Sequence, residues 1–381
     1  MKRVVDLFAG CGGLSQGFEY AGFDIVGAFE YWDTAAKCYA ANFSHPVYSD
    51  DLSNVEQSVK KIKQLNPEII IGGPPCQDFS HAGKRIENER AALTECFASI
   101  ITTLNTQWFL MENVDRAHNS KSYAAARHIF KTAGYGLTEV LLNAALYGVP
   151  QRRKRFFCIG SLGAPDGFLL DYIENSRSEK EMTLRDYFGN SLDFEYYYRH
   201  PRNYCRRAIY SIDEPSATIR GVNRPVPLGY PGHANDACQL NPSIRSMTTL
   251  ERSLVQTFPP DYKWLGNKTE TEQMIGNAVP VKLAEFVAKA LAHHISAEPF
   301  IIDYAPFFGW LQDTQIVSEK TQGDVVSRLK RANSICPINS EPDAFYLFTL
   351  EQTPEYKAMG SSVRSQLKRA VTLYSDYLNI P

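Results

Sequence analysis

None of the eight cysteines stands in Cys-x-x-Cys spacing with another, which argues against a zinc ribbon and a dithiol redox motif; no metal is expected. No apolar run approaches the roughly 20 residues that a membrane-spanning helix needs. A charged-then-apolar leader is lacking too, because Met1-Lys2-Arg3 runs straight into Val4-Val5-Asp6-Leu7-Phe8. These absences point to a reducing cytoplasm, with no membrane partner. Neither charge dominates: 40 basic against 42 acidic residues give a net charge of −2, so overall charge announces no polyanion. There is no internal repeat and no low-complexity tract. What is present is an ordinary globular composition, 44% hydrophobic and 22% charged, over 381 residues, enough for about two or three domains.

Local charge departs from that balance. Arg152-Arg153-Lys154-Arg155 form one basic cluster. Arg199, Arg202, Arg206 and Arg207 form another, interleaved with Tyr196, Tyr197, Tyr198 and Tyr204. A basic run is most often a solvated face, but one mixed with aromatics and amides favours contact with phosphates.

The most informative stretch is Gly72-Gly73-Pro74-Pro75-Cys76-Gln77-Asp78-Phe79-Ser80. Ile69 to Ile71 lead into it with the length and branching of a buried strand. The two glycines permit a sharp turn, and the prolines fix their own φ, Pro75 keeping Pro74 extended. A thiol is thereby expected at the carboxyl end of a strand, where open α/β sheets place their chemistry. Polar, turn-forming neighbours set Cys76 apart as a candidate reactive thiol. Cys11, Cys38, Cys96, Cys158, Cys205, Cys238 and Cys336 are expected to be small buried apolar residues.

Near the amino end, residues 4–8 read as a strand and Ala9-Gly10-Cys11-Gly12-Gly13 as a tight turn. Leu14, Phe18 and Ala21 then fall at helical spacing, and Phe23 to Phe29 form a second strand ending at Glu30. Strand, glycine turn, helix, strand and acid make half of a nucleotide-binding unit, in which Glu30 accepts hydrogen bonds from ribose hydroxyls. The redox-dinucleotide pattern GxGxxG is not met.

The alternation continues. Residues 53–65 look helical, 91–105 helical, Trp108 to Met111 a strand ending at Glu112, and 122–133 helical. Segments 137–142 and 156–160 read as a hairpin-like pair of strands. Residues 191–245, rich in Tyr, Arg, Pro, Asn and Gly, suggest a small irregular domain carrying loops. Thr248 to Phe258 and residues 281–292 read as helices. Ser361 to Tyr377 is a basic amphipathic stretch.

Five segments, in order, carry a resemblance. They are Asp6-Leu7-Phe8-Ala9-Gly10-Cys11-Gly12-Gly13-Leu14, Pro74-Pro75-Cys76-Gln77, Glu112-Asn113-Val114, Gln151-Arg152-Arg153-Lys154-Arg155 and Gly276-Asn277-Ala278-Val279-Pro280. Together they resemble the motifs of the DNA (cytosine-5) methyltransferases of bacterial restriction–modification systems, over roughly residues 1–292. No single motif is specific; five in family order are.

The resemblance implies a Rossmann-like, S-adenosylmethionine-dependent methyltransferase sheet of the α/β class. It implies a catalytic domain over 1–190, an irregular target-recognition domain over 191–260, a return to the catalytic domain over 261–295 and an extension over 296–381. It makes Cys76 the nucleophile toward carbon 6 of a flipped-out cytosine and Glu112 the acid at ring nitrogen 3, with Arg153 and Arg155 supplying charge. S-adenosylmethionine is expected against Phe8, Gly10, Gly12 and Leu14. Glu30 would take its ribose and Tyr31 its adenine, with Asp51 and Leu52 at the amino group and Leu93 and Asn277 completing the pocket. Duplex DNA is expected at Gln77, Ser80, Lys84, Arg85, Thr218, Arg220, Asn223 and Arg224. Residues 77–93 would form a mobile lid over the flipped base. One departure stands out: the family commonly has Arg-Glu where this chain has Leu250-Glu251-Arg252, which puts the local helix contacts in question. A monomer acting apart from a cognate restriction endonuclease is expected.

Two rivals remain. A tRNA cytosine methyltransferase of the same fold would carry a Cys-Phe-Thr triplet, which is absent. A catalytically silent DNA-binding module would have no need of Cys76, Glu112 and both arginines.

Overall fold

A computed structural model describes residues 1–75, 84–201, 203, 205–296, 302–338 and 341–379, with backbone alone over 84–91. The chain divides into two compact units. The larger comprises Met1–Tyr172 and Glu181–Ala288; the smaller comprises Ile173–Lys180 and Lys289–Pro381.

The larger unit is built on a strand–helix alternation. In chain order the elements are β1 (Arg3–Leu7), α1 (Gly13–Tyr20), β2 (Asp24–Phe29), α2 (Asp33–Ala40), β3 (Val47–Tyr48), α3 (Val55–Gln64), β4 (Ile69–Gly72), α4 (Lys84–Leu104), β5 (Trp108–Val114), α5 (Lys121–Thr132) and β6 (Tyr135–Asn143). There follow β7 (Gln151–Arg152), β8 (Lys154–Leu162), α6 (Leu170–Asn175), α7 (Leu184–Phe188), β9 (Tyr196–Tyr198), β10 (Ile209–Ser211), β11 (Ser216–Ala217), β12 (Arg245–Ser246), α8 (Thr249–Val255), α9 (Lys268–Asn277) and α10 (Val281–Ser296), of which α6 and α10 each continue past the unit's bounds.

Seven strands form one sheet in the order β3-β2-β1-β4-β5-β8-β6. β1 to β5 run parallel, and β8 inserts antiparallel between β5 and β6. Parallel strands are covered on both faces and so read as continuous apolar runs. Val4, Val5, Leu7 and Ile69 to Ile71 are accordingly buried. The strand order reverses between β1 and β4, which opens a crevice at their carboxyl ends. The glycine turn after β1 and the proline turn after β4 flank that crevice.

The segment after α7 holds only short strands: a three-stranded sheet ordered β10-β9-β12, and β11, which pairs in parallel with β7. Helices α8 and α9 open with reciprocal capping boxes, Thr248 with Glu251 and Asn267 with Glu270. Glu251 thus has a capping role in the Leu250-Glu251-Arg252 segment.

Two expectations change. α4 begins at Lys84, so the latter part of the expected lid is helical. Cys205 is exposed rather than buried, and Cys96, Cys238 and Cys336 are half-buried. A residue type with a buried average keeps no fixed address in a loop, as at Cys205, or on a helix face, as at Cys96 in α4.

The smaller unit contains α11 (Tyr304–Thr314), α12 (Glu319–Ile335), α13 (Ala344–Leu350), α14 (Pro354–Lys357) and α15 (Ser361–Leu378). Phe307, Leu311, Leu329, Leu350, Leu367, Val371 and Tyr374 give it a core of its own. Among the described residues no helix is long and apolar enough to cross a membrane.

Candidate active site

After β1 the backbone takes positive φ at Phe8, Gly10 and Gly12. That conformation folds the turn back on the end of β2. Gly10 N–H donates to Glu30 Oε2 at 2.7 Å, and Trp32 N–H donates to Glu30 Oε1 at 2.7 Å. The carboxylate is therefore fixed at the crevice edge by backbone alone. Burial pushes the Glu30 carboxyl up, and these N–H groups oppose the shift.

A cavity of about 1020 Å³ opens there. Of the cofactor candidates, Phe8, Gly10, Leu14, Glu30, Tyr31, Asp51, Leu52, Leu93 and Asn277 line it; Gly12 does not. A Cβ on Gly10 would enter open space, whereas one on Gly12 would lie 2.4 Å from the Phe43 ring. Gly12 packs at the amino end of α1 against Phe43 and Tyr262. Ala9, Trp32, Gly73, Pro74 and Asn113 also line the cavity. A fixed carboxylate, a backbone that can be closely approached and aromatic walls at Phe8, Tyr31 and Trp32 fit a nucleoside-bearing cofactor.

The second half of the site hangs on β4 and β5. Cys76, Gln77 and Ser80 lie outside the described residues, and of Lys84 and Arg85 only the helical backbone is described. Their immediate support is described. Asn113 Nδ2 donates to Pro74 O at 3.0 Å, and Asn113 Oδ1 accepts from Val114 N–H at 2.9 Å. Glu112 is buried at 7% exposure, and Arg155 Nε lies 2.8 Å from its Oε1. A Cβ on Gly73 would stand 3.2 Å from Glu112 Oε2, so this second oxygen faces the proline turn. Burial raises the Glu112 carboxyl above its ordinary value, against the pull of Arg155 and Arg153.

Gln151, Arg153 and Arg155 share one side of the β7–β8 segment by strand alternation, but they differ in what they touch. Arg153 is 1% exposed. Its Nη1 donates to Ile219 O at 2.8 Å, and its Nη2 to Gly276 O at 2.8 Å and Ala278 O at 2.9 Å. Gln151 accepts from Ile219 N–H at 2.8 Å and donates to Gln256 Oε1 at 2.7 Å. Both hold distant segments in place; Arg155 is the arginine paired with the acid. Beneath β1, Ser15 donates to Asp6 Oδ2 at 2.7 Å and Tyr39 O–H donates to Ser15 at 2.6 Å. Asp6 is fully buried and its carboxyl is pushed up to about 8, chiefly by burial.

The expected DNA-contacting residues face two ways. Thr218 Oγ1 donates to Arg152 O at 2.7 Å, and Arg220 donates to His200 O. Asn223 Nδ2 donates to Met247 O and Glu272 Oε1, each at 2.9 Å. Its amide donor is therefore turned inward, away from the base edge expected for it. Arg224 is exposed. Arg199, Arg206, Arg207 and Tyr210 line the cavity. Arg207 pairs with Glu214 and stacks 4.2 Å over the Tyr210 ring; Arg202 and Tyr204 lie outside the described residues.

The sequence model of the C-5 cytosine-specific DNA methylases matches residues 2–293. The chain belongs to that family.

This DNA cytosine-5 methyltransferase uses S-adenosylmethionine, whose nucleoside the cavity fits. Over 291 residues, 76% of its length, it is 54% identical to the Type II methyltransferase M.HindV of Haemophilus influenzae, covering 96% of that protein. Over 295 residues it is 51% identical to the Type II methyltransferase M.HgiDI of Herpetosiphon aurantiacus, covering 77% of this chain and 95% of that one. Among solved structures, Dnmt2 methyltransferase of S. pombe aligns with a TM-score of 0.57 at 19% identity, over 77% of this chain and 99% of that one. This last likeness concerns fold alone. Within the methylase site, the positioning of Pro74 by Asn113 escaped sequence reading, although the Glu-Asn-Val triplet signalled it. The Asp6–Ser15–Tyr39 chain gave no signal, since its members lie 9 and 24 residues apart.

Proposed function

We propose that this methylase modifies one cytosine within a specific duplex sequence, as the modification partner of a separate restriction endonuclease, and acts as a cytoplasmic monomer. The similarity to two Type II methyltransferases supports the pairing. Residues 1–190 and 261–295 would carry the chemistry, 191–260 would read the target, and 296–381 would be an accessory extension.

The observation that carries the mechanism is the buried Glu112–Arg155 pair beside the proline turn, in the cavity that also holds the glycine turn. Carbon 5 of cytosine is a poor nucleophile. A Cys76 thiolate bonding to carbon 6 pushes an electron pair toward carbon 5, while Glu112 gives its proton to ring nitrogen 3. S-adenosylmethionine, when bound, would supply an electrophilic methyl group to the carbon 5 pair, its sulfur keeping the electrons of the broken sulfur–methyl bond and leaving as a neutral thioether. Once carbon 5 carries the methyl, water removes the carbon 5 proton. The released pair restores the ring double bond and expels Cys76 as thiolate, and nitrogen 3 returns its proton to Glu112. Arg155 orients the carboxyl, and burial favours its protonated form. Asn113 holds the turn from which Cys76 attacks. The target base must leave the helix to enter such a cavity.

Purified protein, methyl-labelled cofactor and duplex DNA or tRNA test the reading. Label is expected in duplex DNA, at a single sequence context by methylation sequencing of plasmid. A duplex bearing 5-fluorocytosine should give a complex that survives denaturation, and Cys76→Ser should abolish it. Label in tRNA alone, or trapping by the Ser variant, overturns the reading.

A further inference from the structure

The loop over 220–224 is held from behind by a buried ion pair. Arg252 Nε lies 2.8 Å from Glu272 Oε2, with side-chain exposures of 6% and 3%. The remaining guanidinium donors reach forward: Arg252 donates to the carbonyl of Arg220 and, at 3.2 Å, to that of Val222. Glu272 Oε1 is filled by Asn223 Nδ2 at 2.9 Å and Thr249 Oγ1 at 2.8 Å. The loop backbone is also pressed on α9, where a Cβ on Gly276 would sit 2.2 Å from Gly221 N.

With the carbonyls of 220 and 222 and the Asn223 amide all turned inward, the outward side chains are limited. Val222 is 51% exposed, an apolar side chain standing on a polar loop, and Arg224 is exposed beside it. An apolar side chain suits a thymine methyl, and a guanidinium suits a guanine edge. A buried charge pair is not a general source of stability, and its better-attested use is to fix one arrangement over others.

We propose that Arg252 and Glu272 are the positioning pair of the recognition loop, setting the backbone over 220–223 so that Val222 and Arg224 face DNA. This rests on the reading that the loop contacts the target. The pair touches neither cytosine nor cofactor; it acts through the loop. The same α9 ends at Asn277 in the cofactor cavity, so general damage to the helix would disturb cofactor binding as well.

The test compares Arg252→Lys, which keeps the charge and loses the fork, with Thr249→Val, a milder change that removes one donor to Glu272. A Val222→Ala/Arg224→Ala double variant tests the loop itself. Steady-state kinetics use the duplex identified by methylation sequencing, cofactor Kd is measured by calorimetry, and thermal unfolding is followed. Arg252→Lys should raise KM for the duplex about tenfold and widen the set of methylated sequences, with kcat and cofactor Kd within about twofold. Thr249→Val should move KM in the same direction by less, with unfolding unchanged. Equal losses in cofactor affinity and duplex KM would mark a merely structural pair and overturn the proposal. So would unchanged KM and sequence set in both variants while the double variant changes them. If the double variant is also silent, the reading of the loop falls and the proposal with it.

Discussion

Asn113 Nδ2 donates to the carbonyl of Pro74 at 3.0 Å, so the strand that carries Glu112 also grips the turn leading to Cys76. One strand end thereby fixes the acid and restrains the nucleophile's approach together. Asn113→Ala releases the turn and leaves a carbonyl unpartnered. The expected outcome is a fall in single-turnover rate of about 10- to 100-fold with cofactor Kd unchanged, because a small misplacement of a reacting group is costly. Rapid-quench methyl transfer on a cognate duplex measures it.

Glu112→Gln should lower kcat by about 100- to 1000-fold, the scale of one positioned acid. The pH profile carries the sharper test. The reaction needs the protonated carboxyl, whose fraction falls as pH rises through its pKa. Burial has raised that pKa, so the falling limb should lie at higher pH than for an ordinary glutamate. The Gln variant should keep a residual rate without that limb.

The two glycines of the first turn should separate on substitution. Gly10→Ala places its methyl in open cavity space at φ +57. It should weaken cofactor binding about tenfold and cost about 1 kcal/mol of stability. Gly12→Ala drives its methyl to 2.4 Å from Phe43 at φ +91 and should cost about 2–4 kcal/mol. Isothermal calorimetry and urea unfolding on both variants check the split.

Asp6 gives a pH dependence of stability. Its carboxyl is raised to about 8 in the folded chain, against an ordinary 3.8. Between those values the folded state keeps a proton that the unfolded state has released. Stability from this group is therefore full below about pH 4, falls as pH rises, and is flat above about pH 8. Asn cannot ionise and still accepts from Ser15. Asp6→Asn should flatten the decline between pH 5 and pH 8 and be the more stable form at pH 8, by denaturant titration at each pH.

Reading the sequence reached far where the signal was local. The strand runs at 4–8 and 69–71 and the pair 137–142 with 156–160 rest on contiguous residues, and they stand in the sheet except Phe8, which leaves β1 at positive φ. It failed where the cause lay elsewhere in the chain. Gly12 looks like Gly10 on paper, and the packing of Phe43 and Tyr262 against it separates them. Arg153 and Arg155 sit two residues apart, yet one grips three carbonyls of remote segments and the other pairs with Glu112. Asn223 has the right chemistry for a base edge, but Glu272 and Met247 take its donor first.

Arg153 reaches its partners at separations of 66, 123 and 125 residues, and Asn277 and Val279 wall the cavity that Phe8 and Gly10 begin. Synthesis delivers the first of those walls long before the second. Closing such wide loops is entropically costly and slow, and it comes after the local helices have formed. A chain cut short before residue 276 lacks one wall of its methyl-donor site and leaves Arg153 with the Ile219 carbonyl alone of its three. No fragment ending before residue 276 therefore encloses the methyl-donor cavity.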